Sequence, residues 1–213
     1  MLKINGWKPS EQPKRRFAVI PGADAEDNPM LHAATPAHSP LIHRLLREGA
    51  RDGSFEADLA DDSPEAGLFF ANLDLALATG FLKTPGADGA LSGQAHVGGY
   101  VYAAREGEPL VGFGLFKDLG APGFELWLTG IAREARGRGY GRAMLRELIS
   151  TPPGQLTSLV RCARSGGSCD IATKLFGELG FVPRRTTASM LWLVSAKVAP
   201  DLAERIASLP AAA

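Results

Sequence analysis

The chain predicts an α/β fold with one mixed, mostly antiparallel sheet flanked by helices. Three observations predict it. Two capped helical patterns come first, at Ser39–Gly49 and Ser63–Gly80. Three β-rich runs joined by short turns follow, between Val97 and Ala132. Then a strand, a glycine-rich turn, a helix and a second strand succeed one another from Phe124 to Ala163, the pattern of a crossover to a parallel neighbour.

Each element has its own warrant. Phe17–Ile20 is a short apolar run between Lys14-Arg15-Arg16 and Pro21-Gly22, and it predicts a first strand. Ala23–His38 is rich in Pro, Ala and polar residues and predicts a loop. Ser39-Pro40 sets an N-cap and a first helical position, Leu41, Ile42, Leu45 and Leu46 give an apolar face, and Gly49 ends it. Ser63-Pro64-Glu65 starts a second helix, with Phe69, Phe70, Leu73 and Leu77 as its apolar set and Gly80 as its stop. Lys83–Gln94 holds Pro85 and several glycines and predicts a loop. Val97–Arg105, Leu110–Phe116 and Phe124–Ala132 are the three strands, with turns at Glu106–Pro109 and Gly120–Gly123. Ala143–Ile149 is helical and Leu156–Ala163 is a strand. Phe181–Pro183 and Ser189–Val194 form a closing hairpin, and Pro200–Leu209 is a terminal helix.

Composition narrows the function classes. A hydrophobic content of 45% and a charged content of 22% are those of a globular protein. Formal net charge is zero, so no overall field draws nucleic acid or membrane surfaces. No apolar run approaches membrane-spanning length. Cys162 and Cys169 are too few for a disulfide scaffold and have no metal-ligand spacing with the four histidines, so no metal is expected. Met1–Arg16 is polar, without the apolar stretch of a signal peptide, and the expectation is a cytoplasmic protein.

The most informative run is Arg136-Gly137-Arg138-Gly139-Tyr140-Gly141-Arg142. It joins a strand to a helix. Alternate glycines leave backbone N–H groups bare, and at a helix N-terminus those groups are unpaired and partly positive. Such a turn suits a phosphate or pyrophosphate. The three arginines add donors and charge. The spacing excludes two familiar glycine loops. A P-loop would end in Gly-Lys-Ser/Thr, and here Gly141-Arg142-Ala143 stands. A dinucleotide-binding loop needs two residues between its last glycines, and Gly139 and Gly141 have one.

Arg136-x-x-Gly139-x-Gly141 resembles the Gln/Arg-x-x-Gly-x-Gly/Ala signature of the GNAT superfamily of N-acetyltransferases. The resemblance extends to Cys169-Asp170-Ile171-Ala172-Thr173-Lys174-Leu175-Phe176-Gly177-Glu178-Leu179-Gly180-Phe181. That segment is similar to the family pattern Asn-x-x-Ala-x-x-Leu-Tyr-x-x-x-Gly-Phe. Cys169 stands at the Asn position and Phe176 at the Tyr position. The match runs from about Tyr100 to Leu193.

The resemblance implies a single GNAT-like domain over 1–213, with an acceptor-side insertion at about 50–95 and a C-terminal helix at about 200–209. It implies a sheet with a central splayed parallel pair. It implies acetyl-CoA as cosubstrate, bound by Arg136, Gly137, Arg138, Gly139, Tyr140, Gly141, Arg142 and Phe176, and by the backbone of Thr129, Gly130, Ile131 and Ala132. Gly130 is where a bulge would start the splay, or else a tight packing site. Glu125 is the candidate general base: on a regular strand it shares a face with Trp127, Thr129 and Ile131. The alternative for Glu125 is a solvated charge at the start of a strand. Phe176 cannot donate the proton that the family tyrosine gives, so Cys169 is the candidate donor, or else a small buried hydrophobe.

The implied acceptor is an amine, small molecule or peptide. Asp52–Leu82 holds seven carboxylates and no Lys or Arg, which favours a cationic amine, or else is a solvated acidic face. A homodimer is a further expectation. A module that binds acyl-CoA as a sensor or scaffold, without turnover, is the alternative function.

Overall fold

The helix caps that the sequence marks are built as expected at the second helix. Ser63 accepts a hydrogen bond from the Ala66 N–H at 3.1 Å. Pro64–Thr79 then runs as α2 until Gly80 closes it at φ 78°. The first helix differs from expectation. Here α1 spans Ser39–Arg51, with His38 rather than Ser39 at the N-cap. It continues through Gly49, because a Cβ there would lie 2.5 Å from the Phe55 ring. That glycine admits a side chain rather than ending a helix.

The computed structural model describes residues 30–84, 93–120, 123–164, 168–198 and 200–207. The expected strand at Phe17–Ile20 lies outside them, as do most of the Lys83–Gln94 loop, residues 121–122 of the Gly120–Gly123 turn and the last two residues of the expected C-terminal helix. The strands are β1 Leu31–Ala33, β2 Phe81–Thr84, β3 Gly93–Ala103, β4 Leu110–Asp118, β5 Phe124–Ile131, β6 Thr157–Ala163, β7 Phe181–Thr186 and β8 Met190–Ser195. The remaining helices are α3 Tyr140–Ser150, α4 Ser168–Glu178 and α5 Pro200–Ala207. Two pieces differ from the expected loops. β1 and a short 3-10 turn at Pro36–His38 interrupt the stretch expected to be irregular. β3 begins at Gly93, four residues before Val97, because its start pairs with β2.

The sheet order is β1-β3-β4-β5-β6-β8-β7, with β2 also against β3. Every described pairing is antiparallel except β5 with β6. One face carries α1 and α2, whose Ile42, Leu45, Leu46, Phe70 and Leu73 pack on Val97, Val101, Phe113, Leu115 and Leu128. The other carries α3 and α4, through Met144, Leu145, Leu148 and Phe176 on Phe116, Leu126, Val160 and Leu193. α5 covers Leu159, Trp192 and Val194. Among the described residues no helix is long and apolar enough to cross a membrane.

α3 presses close to β4 because the strand is bare beneath it. A Cβ at Gly114 would lie 2.4 Å from Leu148 Cδ1. Leu148 itself is fully buried. We predict that Leu148→Ala lowers stability by about 2–5 kcal/mol, the cost of a buried leucine in a site that cannot collapse. Leu68→Ala, on the exposed side of α2, should change it by less than about 0.5 kcal/mol. Urea unfolding of the two variants measures both.

Candidate functional site

The glycine turn leaves the start of α3 open. β5 ends at Ile131, a 3-10 turn at Arg133–Ala135 follows, and Gly139 caps α3 with φ 82°. Gly137 also has positive φ, at 75°. Both conformations suit glycine and strain other residues. A Cβ on either would meet nothing within 4 Å. No side chain caps the helix, so its first N–H groups face that bare ground.

The three arginines divide their roles. Arg136 Nε donates to the Ile131 carbonyl at 3.1 Å, and its guanidinium pairs with Asp52 at the end of α1. That hydrogen bond holds the Asp52 carboxyl below its ordinary range. Arg142 forms a two-pronged pair with Glu178 of α4, at 3.0 and 3.1 Å. Arg138 is exposed. The expectation that all three lend free charge to a phosphate is therefore corrected: two of them fasten the turn to its neighbours.

Beside the turn, β5 and β6 part. Their parallel pairing covers Phe124↔Thr157, Glu125↔Leu159 and Leu126↔Val160 and goes no further. β5 continues to Ile131 on its β4 partner, and β6 continues to Ala163 on β8. Facing edges of both strands are left without strand partners beyond Leu126 and Val160. This is a slot between strand edges that do not pair with each other, and its mouth lies at the glycine turn.

The β5 bulge sits at Trp127, not at Gly130. Leu115 pairs with Leu128 and Phe116 with Leu126, which leaves Trp127 as the extra residue. The bulge breaks the alternation that would put Glu125, Trp127, Thr129 and Ile131 on one face. Glu125 faces the α1–α2 side with Leu128, whereas Thr129 and Ile131 turn to the α3 side. Gly130 is a packing site, since a Cβ there would lie 3.0 Å from the Phe113 ring. The Thr129 hydroxyl donates to the Phe113 carbonyl at 3.0 Å, and the Ala132 N–H to the Val111 carbonyl at 2.8 Å.

Residues 61–164 match the family model described as the acetyltransferase (GNAT) family. Over that span, about half of the chain, the sequence is similar to the GNAT acetyltransferases. The fold agrees. The PaiA N-acetyltransferase of Thermoplasma acidophilum, solved with coenzyme A, superposes with a TM-score of 0.50 at 14% identity, covering 78% of this chain and 98% of that one. A ribosomal-protein-alanine N-acetyltransferase of Brucella melitensis gives 0.47 at 20% identity, covering 77% and 97%. No curated protein matches the chain.

At the GNAT fork, Glu125 is not the free carboxylate expected of a base. It is 1% exposed. Arg161 of β6 grips it with Nε to Oε1 at 2.5 Å and Nη2 to Oε2 at 2.9 Å. Lys117 of β4 reaches Oε2 at 2.9 Å. Both oxygens are committed to cations, which leaves neither open to an incoming amine. The sequence reading missed Lys117 and Arg161. Their signal was charge inside otherwise apolar strands, and the pairing became visible only once the register was known.

Cys169 lies in the first turn of α4, partly buried, with Sγ 4.0 Å from Thr173 Oγ1. Phe176, two turns on, is 3% exposed and packs edge-on against Phe181 at 5.7 Å. Its ring belongs to the core between α4 and the sheet, so the expectation that it touches cofactor is corrected. Tyr140 is half-buried between both cores. Cys162 on β6 is buried, and burial pushes its thiol up to about 12.

Three of the seven carboxylates in the acidic stretch have ion-pair partners. Asp52 pairs with Arg136, Asp62 with Arg47 and Asp74 with His43. Arg47 and Arg51 also donate to the Asp61 and Ala60 carbonyls. Among the described residues, Arg47 alone of the α1 arginines pairs with a carboxylate of this stretch, and Arg44 turns to Glu48 and Glu134.

Two outcomes follow. Glu125→Gln should cost about 3–5 kcal/mol in urea unfolding, because it strands two largely buried cations. Lys117→Met should cost less, because a one-to-one Glu125–Arg161 pair remains. For Cys162 the folded pKa lies above the unfolded value. Its contribution is therefore complete below about pH 9 and is lost as pH rises toward 12. Melting temperature should fall with pH in that window, and Cys162→Val should flatten the fall.

Proposed function

We propose that the chain transfers an acetyl group from acetyl-CoA to a primary amine by direct attack in a ternary complex. One observation carries the reading: the β5–β6 slot opens at an uncapped helix start whose glycines leave open space. These residues fit acetyl-CoA. The leading N–H groups of α3, with Gly137, Gly139, Gly141 and the free Arg138, would hold the pyrophosphate. The unpaired edge of β5 from Trp127 to Ile131 would pair with the pantetheine amides. Bound there, acetyl-CoA supplies the thioester carbonyl that the amine attacks. The family-model match and the coenzyme A in the PaiA structure support the same donor.

The proton steps follow from what the side chains leave free. Glu125 is held by two cations and serves to position them rather than to take the amine proton, which passes to solvent. Cys169 is the candidate donor to the departing sulfur, since Phe176 has no proton to give. Both cysteines are free thiols, which suits a reducing, cytoplasmic setting. Arginines outside the Asp52–Leu82 stretch take up Asp52 and Asp62, which weakens the argument for a cationic acceptor.

The buried Phe176 favours one second reading, a coenzyme A-binding module without turnover. Thiol release from acetyl-CoA across an amine panel separates the two, because the module binds and releases nothing.

Calorimetry should show coenzyme A binding in the micromolar range, about −8 kcal/mol. Gly141→Trp should remove most of it. Gly141 has no positive φ, and its nearest obstacle to a Cβ is Ile131 at 3.7 Å, so this variant should fold and fill only the cradle. Undiminished binding by the variant would place the cofactor elsewhere.

A further inference from the structure

We propose that Lys117 and Arg161 form an anion subsite at the fork, and that the acceptor is an amine carrying an anionic group, with an amino-acid carboxylate as its simplest form. The inference rests on the acetyl-transfer reading above and names the substrate class of that site.

The charge count is the first support. Lys117 and Arg161 share the single carboxylate of Glu125. Among the described residues no second carboxylate pairs with either. Their side chains are 14% and 11% exposed, against 1% for Glu125. Among the described residues, one unit of positive charge is thus held largely out of water without a counter-ion. That is costly unless an anion completes the set. The donors for it exist. Arg161 spends Nε and one Nη2 hydrogen on Glu125, leaving three of its five N–H groups. Lys117 spends one of three. A guanidinium and an ammonium side by side suit a carboxylate.

Position is the second support. Arg161 is the first β6 residue beyond the last β5–β6 pair, so the surplus sits at the crotch of the slot. It faces the α1–α2 side, because Lys117 and Glu125 alternate with Phe116 and Leu126, which pack on α3. The glycine turn leads into α3 on the opposite face. The surplus charge is therefore not placed for the phosphates of the donor. It faces the other side of the sheet, which we assign to the acceptor.

The surroundings agree. Lys117 Nζ stands 5.7 Å from the centre of the Trp127 ring, the bulged residue of β5. Trp127 in turn lies 6.1 Å from Phe69 of α2. Trp192 is directly across from Arg161 on β8, and the Arg185 guanidinium covers its ring at 4.6 Å. This face carries cations and aromatic rings beside the slot, and Asp52 and Asp62 of the acidic stretch pair with other arginines.

The test uses the full chain, acetyl-CoA and matched acceptor pairs: each amino acid beside the amine formed by removing its carboxylate. Thiol release gives kcat/KM for each, for wild type and Lys117→Met. The amino acid should be preferred at least tenfold. In Lys117→Met that ratio should fall toward one through a higher KM for the amino acid, with coenzyme A affinity by calorimetry retained. Where turnover is slow, calorimetric binding of the pair to the coenzyme A-loaded protein reads the same preference. Equal or better use of the decarboxylated amines overturns the subsite. So does a Lys117→Met variant that keeps the wild-type ratio. Absence of coenzyme A binding by the wild type is a different failure, which overturns the acetyl-transfer reading and this inference with it.

Discussion

The early end of the β5–β6 ladder is the constraint on which the rest of the structure depends. Three rungs join the strands, and then each keeps only its other partner. Open strand edges inside a sheet are a liability, because their N–H and C=O groups need partners. Glu125 stands at the last rungs and ties Lys117 of β4 and Arg161 of β6 to β5. Side-chain ion pairs thus hold three strands together where the backbone ladder stops. The bulge at Trp127 follows at once, twisting β5 away from β6 while it stays on β4.

The helix that faces the slot is placed by the same economy of side chains. Glycines on β4 let α3 sit close, so Leu148 and Met144 contact the strand itself. That packing sets where the N-terminus of α3 points. Arg136 and Arg142 then fasten the turn from two sides, one to α1 through Asp52 and one to α4 through Glu178. An exposed ion pair contributes little by itself. Here the pairs matter for geometry: they hold a turn with two positive-φ glycines in register with the slot.

What the sequence made legible was local. Ser63, Pro64 and Gly80 bound α2 because caps act within a turn of the helix. The glycine turn was legible because its chemistry lies in consecutive residues. What it hid was non-local. β1 has three residues and no pattern of its own; it exists because β3 offers an edge. The face of Glu125 followed from strict alternation, which one bulged residue reverses for everything after it. Asp52 and Asp62 looked unopposed because the arginines that meet them, Arg136 and Arg47, lie outside the stretch. Phe176 sat in the right motif, but only packing shows that its ring belongs to the core.

The zero net charge conceals a division across the sheet. On the α3 side, positive potential comes from an open helix terminus and one free arginine, a shallow and solvated site suited to phosphate. On the α1–α2 side, it comes from two side chains against one carboxylate, largely withdrawn from water. Attraction in the second place is less screened than in the first, because salt reaches it less. An acceptor held by its anionic group at Lys117 and Arg161 would be anchored at the crotch of the slot. Its amine would then be the part left to reach the thioester, and the length between its two charged groups would decide whether it does.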